Sequence, residues 1–202
     1  PVLPAVPSTI VPPGSKAQRP QSRAILTNNA RAESIGTRPT YRDAWRQGQR
    51  CLIPCAWYQE PNWETGKNIW WRLRRADGQP WALGGIWSTW TDPDTGEIVP
   101  SYSMLTINCD GHPLLGRLPK PDPKLPADQQ DKRATVMLEP EAWDTWLHGS
   151  EADARALLQV PPVERFDLSE TAATDAALQR LRASAAHQHV QSQADWVRGD
   201  AQ

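Results

Sequence analysis

Residues 68–75 repeat with a period of two: Ile69, Trp71 and Leu73 interleave with Trp70, Arg72 and Arg74. That is the spacing of a strand with one apolar face. Ala76-Asp77-Gly78 follows, and residues 81–90 form a second apolar run, so the two runs are predicted to pair as a hairpin turned at Asp77-Gly78. The pair Gly84-Gly85 inside the second run points to a bulge or a close backbone approach. A turn over 92–97 leads into a third long strand, 101–108. Three strands joined by tight turns confine the middle of the chain to an antiparallel meander.

Short elements surround it. Tyr41, Ala44 and Trp45 stand at helical spacing before Gly48 and predict an amphipathic helix within 38–50. Residues 51–54 read as a short buried strand, 118–132 as an irregular surface loop, and 134–138 as another strand. Pro140 opens a helix in which Trp143, Trp146 and Leu147 share a core-facing side until Gly149 stops it, and Ser150 caps a further helix with Asp153 in its first turn. Residues 1–22 hold six prolines and no aromatic residue, which predicts an extended or disordered segment. Beyond residue 170 the composition turns to Ala, Gln, Asp and Ser, with at most a weak helix over 174–186. The expected organisation is a proline-rich segment 1–22, a folded domain 23–168 and a polar tail 169–202, in the α+β class.

Charge is distributed unevenly. Residues 1–75 carry 12 Lys and Arg against 4 Asp and Glu, whereas 76–202 carry 10 against 19. An Arg-rich region suits phosphate oxygens and so points to nucleic acid or another polyanion, unless the charges disperse over the folded surface. Eleven tryptophans against one phenylalanine add rings able to stack on unpaired bases; Trp70 shares its strand face with Arg72 and Arg74, whereas Trp71, Trp143 and Trp146 are expected in the core. No apolar run approaches the roughly 20 residues that span a bilayer, and the three cysteines are too few for a disulfide scaffold, which agrees with a reducing compartment. Neither Cys51 with Cys55 nor Cys109 with His112 has convincing metal-ligand spacing, and no phosphate-binding glycine loop or nucleophile elbow occurs.

Seven motifs occur in order: Asn29-Ala30-Arg31-Ala32-Glu33, Arg50-Cys51-Leu52-Ile53-Pro54, Glu60-Pro61-Asn62-Trp63, Arg75-Ala76-Asp77-Gly78, Gly85-Ile86-Trp87, Met104-Leu105-Thr106-Ile107-Asn108 and Asp131-Lys132-Arg133. With them residues 26–166 resemble the SRAP family, the SOS response-associated peptidases or abasic-site processing proteins. The resemblance implies a twisted, partly barrel-like antiparallel sheet flanked by short helices. It also implies a cytoplasmic, nucleoid-associated, monomeric protein that uses no cofactor or metal and binds single-stranded DNA at abasic sites. In the family an N-terminal cysteine, exposed by removal of the initiator methionine, forms a Schiff base with the opened sugar. Its thiol then closes a thiazolidine, a covalent protein–DNA linkage, and lyase-type and self-processing peptidase chemistry are associated with the same site.

Carried over by position, Asn29 orients the sugar and nucleophile, and Glu60 moves protons during sugar opening and imine formation. Arg31 grips a neighbouring phosphate, with Thr106, Lys120 and Trp70 completing the DNA-contacting set. Without the resemblance, Asn29 reads as a turn cap, Arg31 as a partner of Glu33 and Glu60 as a solvated loop acid. Two positions depart from the family. The chain starts at Pro1 with no cysteine before Cys51, and Gly116-Arg117-Leu118-Pro119-Lys120-Pro121 places Pro119 where the family carries a histidine. The expectations are therefore a crosslinking protein whose Met-Cys start lies upstream, or a member that binds single strands without linking to them. A Pro1 amine forming an iminium is a third possibility. A different class, a tryptophan-rich scaffold whose basic patch meets an acidic protein partner, is also open.

Overall fold

The computed structural model describes residues 7–16 and 26–171, with 173, 175, 176, 179, 180 and 183 beyond them. The fold is α+β. Its strands are β1 (Asn29–Arg31), β2 (Arg50–Cys55), β3 (Tyr58–Asn62), β4 (Ile69–Leu73), β5 (Trp81–Thr91), β6 (Ile98–Asn108), β7 (Arg133–Thr135) and β8 (Met137–Leu138). The helices are α1 (Arg42–Arg46), α2 (Trp143–His148) and α3 (Glu151–Ala156), all of one or two turns. The main sheet runs β1-β6-β5-β2, and β3 and β4 form a separate two-stranded sheet. Because β1 lies parallel to β6 while β5 is antiparallel to both β6 and β2, the main sheet is mixed. It is not closed into a barrel, since among the described residues β1 and β2 are its two edges.

The β5–β6 hairpin turns where the sequence predicts. The Asp92 carboxylate accepts the amides of Asp94 and Thr95 at 2.8 and 3.1 Å, and Gly96 takes φ +74°. The predicted hairpin between β4 and β5 does not form. Gly78 does make a turn, at φ +73°, but β4 pairs with β3 and β5 is flanked by β2, β6 and β8. Arg75 explains the crossing. Its guanidinium donates to Asp77 at 3.0 and 2.7 Å and to Glu139 at 2.7 Å, and lies 5.3 Å from the Trp81 ring centre. The turn is thus anchored to the end of β8 beside the start of β5. The strand that β4 does pair with contains Pro61, opposite Trp70; β3 has a partner on one side only, where a missing N–H is tolerated.

The strand predicted over 134–138 is split in two. β5 and β6 pair from Thr91–Ile98 at the turn to Gly85–Met104 and then splay. Into the fork goes 133–138: β7 pairs with β6, β8 with β5, and Val136 sits at the apex, accepting from the Gly84 amide and donating to the Leu105 carbonyl, each at 2.9 Å. The close approach expected of Gly84-Gly85 is present. A Cβ on Gly85 would stand 2.7 Å from Ile53 Cδ1 and 3.0 Å from both Cys51 Sγ and the Ser103 carbonyl oxygen. Gly85→Ala is therefore expected to lower stability by about 1–3 kcal/mol through overpacking, read as a lower urea midpoint with an unchanged slope.

Residues 7–16 pack along the sheet. Ile10 is fully buried, its carbonyl accepts the Thr27 hydroxyl at 2.6 Å, and the Ser15 carbonyl accepts Trp90 Nε1 at 3.0 Å. Prolines without intervening aromatics read as loose chain, yet here they hold a strap extended over apolar surface. Among the predicted core rings, Trp71 and Trp146 are buried, whereas Trp143 is 36 % exposed and donates from its indole N–H to the Leu138 carbonyl. α3 opens with a reciprocal cap, the Ser150 side chain accepting from the Asp153 amide and Asp153 accepting from the Ser150 amide. Of the weak helix expected over 174–186, the described residues 175, 176, 179, 180 and 183 are helical, and the rest lies outside the described residues.

Candidate functional site

A cleft of about 440 Å³ opens between β3 and the β1–β6–β7 side of the main sheet. Its walls carry Asn29 from β1, Glu60 from β3, Trp70 from β4, Thr106 from β6 and Arg133 and Thr135 from β7. The register brings the motifs together, since parallel pairing sets Asn29 opposite Met104 and Arg31 opposite Thr106, and β7 sets Thr135 opposite Thr106 on the other side. Four of the six predicted site residues, Asn29, Glu60, Trp70 and Thr106, thus line one cleft.

Glu60 is the chemically distinctive group. It is half-buried opposite Trp71 on β3, and burial alone pushes its carboxyl up to about 7, with no neighbouring cation holding it ionised. Tyr58 lies two residues earlier on the same strand face, its phenol held well above the ordinary range by burial first and by the Glu60 charge second. The Thr135 hydroxyl is near enough to ease the ionisation of Tyr58, yet neither hydroxyl completes a hydrogen bond. Five buried polar side-chain atoms lack a partner among the described residues. Three of them, Tyr58 Oη, Arg133 Nε and Thr135 Oγ1, belong to residues of this cleft. Buried polar groups are normally satisfied by protein or water, and three of the five without a protein partner fall at this cleft, where a water or a polar ligand has groups to bind.

A chain of alternating charges flanks the cleft. Arg31 pairs with Asp131 at 2.5 Å, Asp131 with Arg133 at 3.1 Å and Arg133 with Glu33 at 2.7 Å. Arg133 also donates to the Thr106 carbonyl at 2.8 Å. Burial works to raise the Glu33 carboxyl, but the hydrogen bonds from Arg133 and the Asn108 amide leave it lowered overall. The alternative partner expected for Glu33 was Arg31; the structure gives it Arg133. Arg133 and Asp131 stand in a quoted family motif, but nothing in their spacing shows that they meet Arg31 and Glu33, and Thr135 carries no signal of its own. Asp131 takes φ +52° to reach both arginines.

Lys120 is not among the cleft-lining residues. Its ammonium lies 4.9 Å from the Trp63 ring centre, and the preceding Leu118 carbonyl accepts the Trp63 amide at 3.1 Å. Pro119 accompanies it on that loop. The thiols are also remote in character: burial raises Cys51 to about 11 and Cys109 to about 12, and raises Cys55 as well, so none is a ready nucleophile. Among the described residues no group of three or more His, Cys, Asp or Glu is placed to hold a metal, and no helix is long and apolar enough to cross a membrane.

The comparisons agree with this architecture. A family model described as SOS response associated peptidase (SRAP) matches residues 6–175. A crystal structure of a protein from Bordetella bronchiseptica is similar at 34% identity and a TM-score of 0.68, over 79% of this chain and 72% of that one. One from Bacteroides thetaiotaomicron is 27% identical with a TM-score of 0.59, over 69% of this chain and 56% of that one. A phage-related protein from Bordetella bronchiseptica shares the fold at 18% identity and a TM-score of 0.55, over 80% and 68% of the two chains. No curated protein matches. With the family model spanning most of the chain and four of the seven ordered motifs contributing residues to one cleft, the chain belongs to the SOS response associated peptidase (SRAP) family, which ties it to the response to DNA damage.

Proposed function

We propose that the cleft binds single-stranded DNA at an abasic site and promotes opening of its sugar. The observation that carries this reading is Glu60, an unpaired carboxyl held near neutrality beside Asn29 in a cleft with unsatisfied polar groups. An intact nucleotide fills the space below its phosphate with a base, whereas an abasic sugar leaves room for a carboxyl to reach the ring. Neutral Glu60 donates its proton to the ring oxygen while a solvent water takes the proton of the anomeric hydroxyl and returns one to the Glu60 carboxylate. The ring carbon–oxygen bond breaks and a free aldehyde forms, with protons and electrons balanced. A group titrating near 7 is suited to both directions of that transfer. Asn29 supplies a donor and an acceptor for the sugar, Trp70 a face for an adjoining base, and Arg31, exchanging Asp131 for a phosphate, a charged anchor.

The thiazolidine linkage of the family requires its N-terminal cysteine, and the raised thiols of Cys51, Cys55 and Cys109 do not substitute for it. Fluorescence anisotropy with a single-stranded oligonucleotide carrying one abasic site, and its intact counterpart, tests the reading. The abasic strand is expected to bind more tightly, with an affinity that falls as salt rises. Arg31→Ala is expected to weaken both strands and flatten the log–log salt slope by about 0.7, one phosphate contact on a single strand. Equal affinity for the two strands, or no salt dependence, would sink it. Borohydride in the same mixture reports whether any amine of the chain forms an imine with the aldehyde.

A further inference from the structure

Beside the cleft, the outward face of the β3–β4 hairpin presents an aromatic and cationic surface that the chemistry of Glu60 does not use. Trp70 and Arg72 are two residues apart on β4, so both point outward, opposite Pro61 and Gln59. Trp57, immediately before β3, is 46 % exposed, and the Arg72 guanidinium carbon stands 4.6 Å from its ring centre. Trp70 is 58 % exposed and lines the cleft itself. The hairpin face is therefore continuous with the cleft.

We propose that Trp57 and Arg72 form a stacking platform for an unpaired nucleobase next to the lesion, a proposal that rests on the single-strand reading above. A large exposed indole covered by a guanidinium is a preformed sandwich: the inner face of Arg72 lies on Trp57 and its outer face is free to take a base, a surface single-stranded nucleic acids use. The spacing fits as well. Side chains two apart on a strand are roughly 6.6 Å apart, about the rise per nucleotide of an extended single strand, so Trp70 and the Arg72–Trp57 pair serve successive bases. Charge favours the same occupant. Arg72, Arg74 and Lys67 lie on the hairpin; Arg74 is paired with Asp167 at 2.9 Å, while the carboxylate of Glu170 takes the Arg72 main-chain N–H at 2.7 Å and leaves its guanidinium over the ring. The platform reads a π-face and a neighbouring phosphate, not a base edge, so it contributes affinity without sequence preference.

The test compares Trp57→Ala and Arg72→Gln with the unaltered chain on three single strands. One carries the abasic site with several nucleotides on both sides, one is trimmed to the lesion on one side, and one is trimmed on the other. Both positions are exposed, and an unchanged melting temperature confirms an intact fold. On the untrimmed strand and on one of the trimmed strands, Trp57→Ala is expected to weaken binding roughly fivefold to a hundredfold, the range of a lost base stack. On the strand lacking the bases that reach the hairpin, the same substitution is expected to change nothing. Arg72→Gln follows the same pattern and also lowers the salt slope. A Trp57→Ala effect equal on all three strands, or absent from all, overturns the platform and leaves that face to a protein partner. Failure of the unaltered chain to prefer the abasic strand is a separate result, which strikes the reading of the cleft.

Discussion

Glu60→Gln is expected to make the protein more stable at pH 8 by about 2–3 kcal/mol while leaving it unchanged near pH 4, once any pH-independent effect of the amide is subtracted. The sign follows from linkage. The folded carboxyl titrates at about 7 against an ordinary value of 4.5, so the native state holds a proton that the unfolded chain releases. Below pH 4.5 both states are protonated and Glu60 costs nothing. As pH rises from 4.5 to 7 the unfolded state ionises alone and stability falls, and above 7 the loss is constant. The full shift corresponds to roughly 3 kcal/mol, and the half-buried setting discounts it somewhat. Glutamine has no such proton to lose. Urea unfolding of both proteins at pH 4, 6 and 8 reads the difference directly; parallel curves at all three values would show a carboxyl in contact with solvent. A site residue that costs stability at working pH is what function, and not packing, retains.

Trp146→Ala is expected to cost about 3–5 kcal/mol, a large part of the 5–15 kcal/mol typical of a domain. The ring is completely buried and tilts against Trp45 at 6.1 Å between centroids. Its N–H donates to the Cys51 carbonyl at 3.0 Å, and the main-chain oxygen of Trp146 accepts from Arg50. Truncation thus opens a cavity between α2 and β2 and removes the donor to Cys51. Gly84 is part of the arrangement, because a Cβ there would meet the Trp146 ring at 3.3 Å. A urea midpoint lowered by less than half this amount would mean that the sheet collapses into the space.

These residues show what was legible before the structure. The period-two run at 69–73, the glycine pair at 84–85 and the Ser150 cap each encode a local geometry, and each forms as read. Partner choice is not local: β4 leaves β5 for β3 because Arg75 fastens the intervening turn to Glu139 and Trp81, residues far from that turn's own sequence or across it. The amphipathic reading of α2 succeeds for Trp146 and fails for Trp143: both indole N–H groups reach a carbonyl, but Trp146 packs against Trp45 in the core whereas Trp143, at the start of the helix, stays 36 % exposed. At the site, the ordered motifs pointed to Asn29, Thr106 and Glu60. The cross-links of Arg133 to Glu33 and Asp131, and the unsatisfied hydroxyls of Tyr58 and Thr135, arise only from the fork that inserts 133–138 between β5 and β6.

The titration of Glu60 addresses the central claim most directly. Carbon-detected NMR of the side-chain carboxyl, assigned through Glu60→Gln, is followed against pH in the free protein and with abasic or intact single-stranded DNA. The account predicts a midpoint near 7 in the free protein that moves when the abasic strand is added and stays put with the intact strand. A midpoint near 4.5, indifferent to either strand, would contradict it.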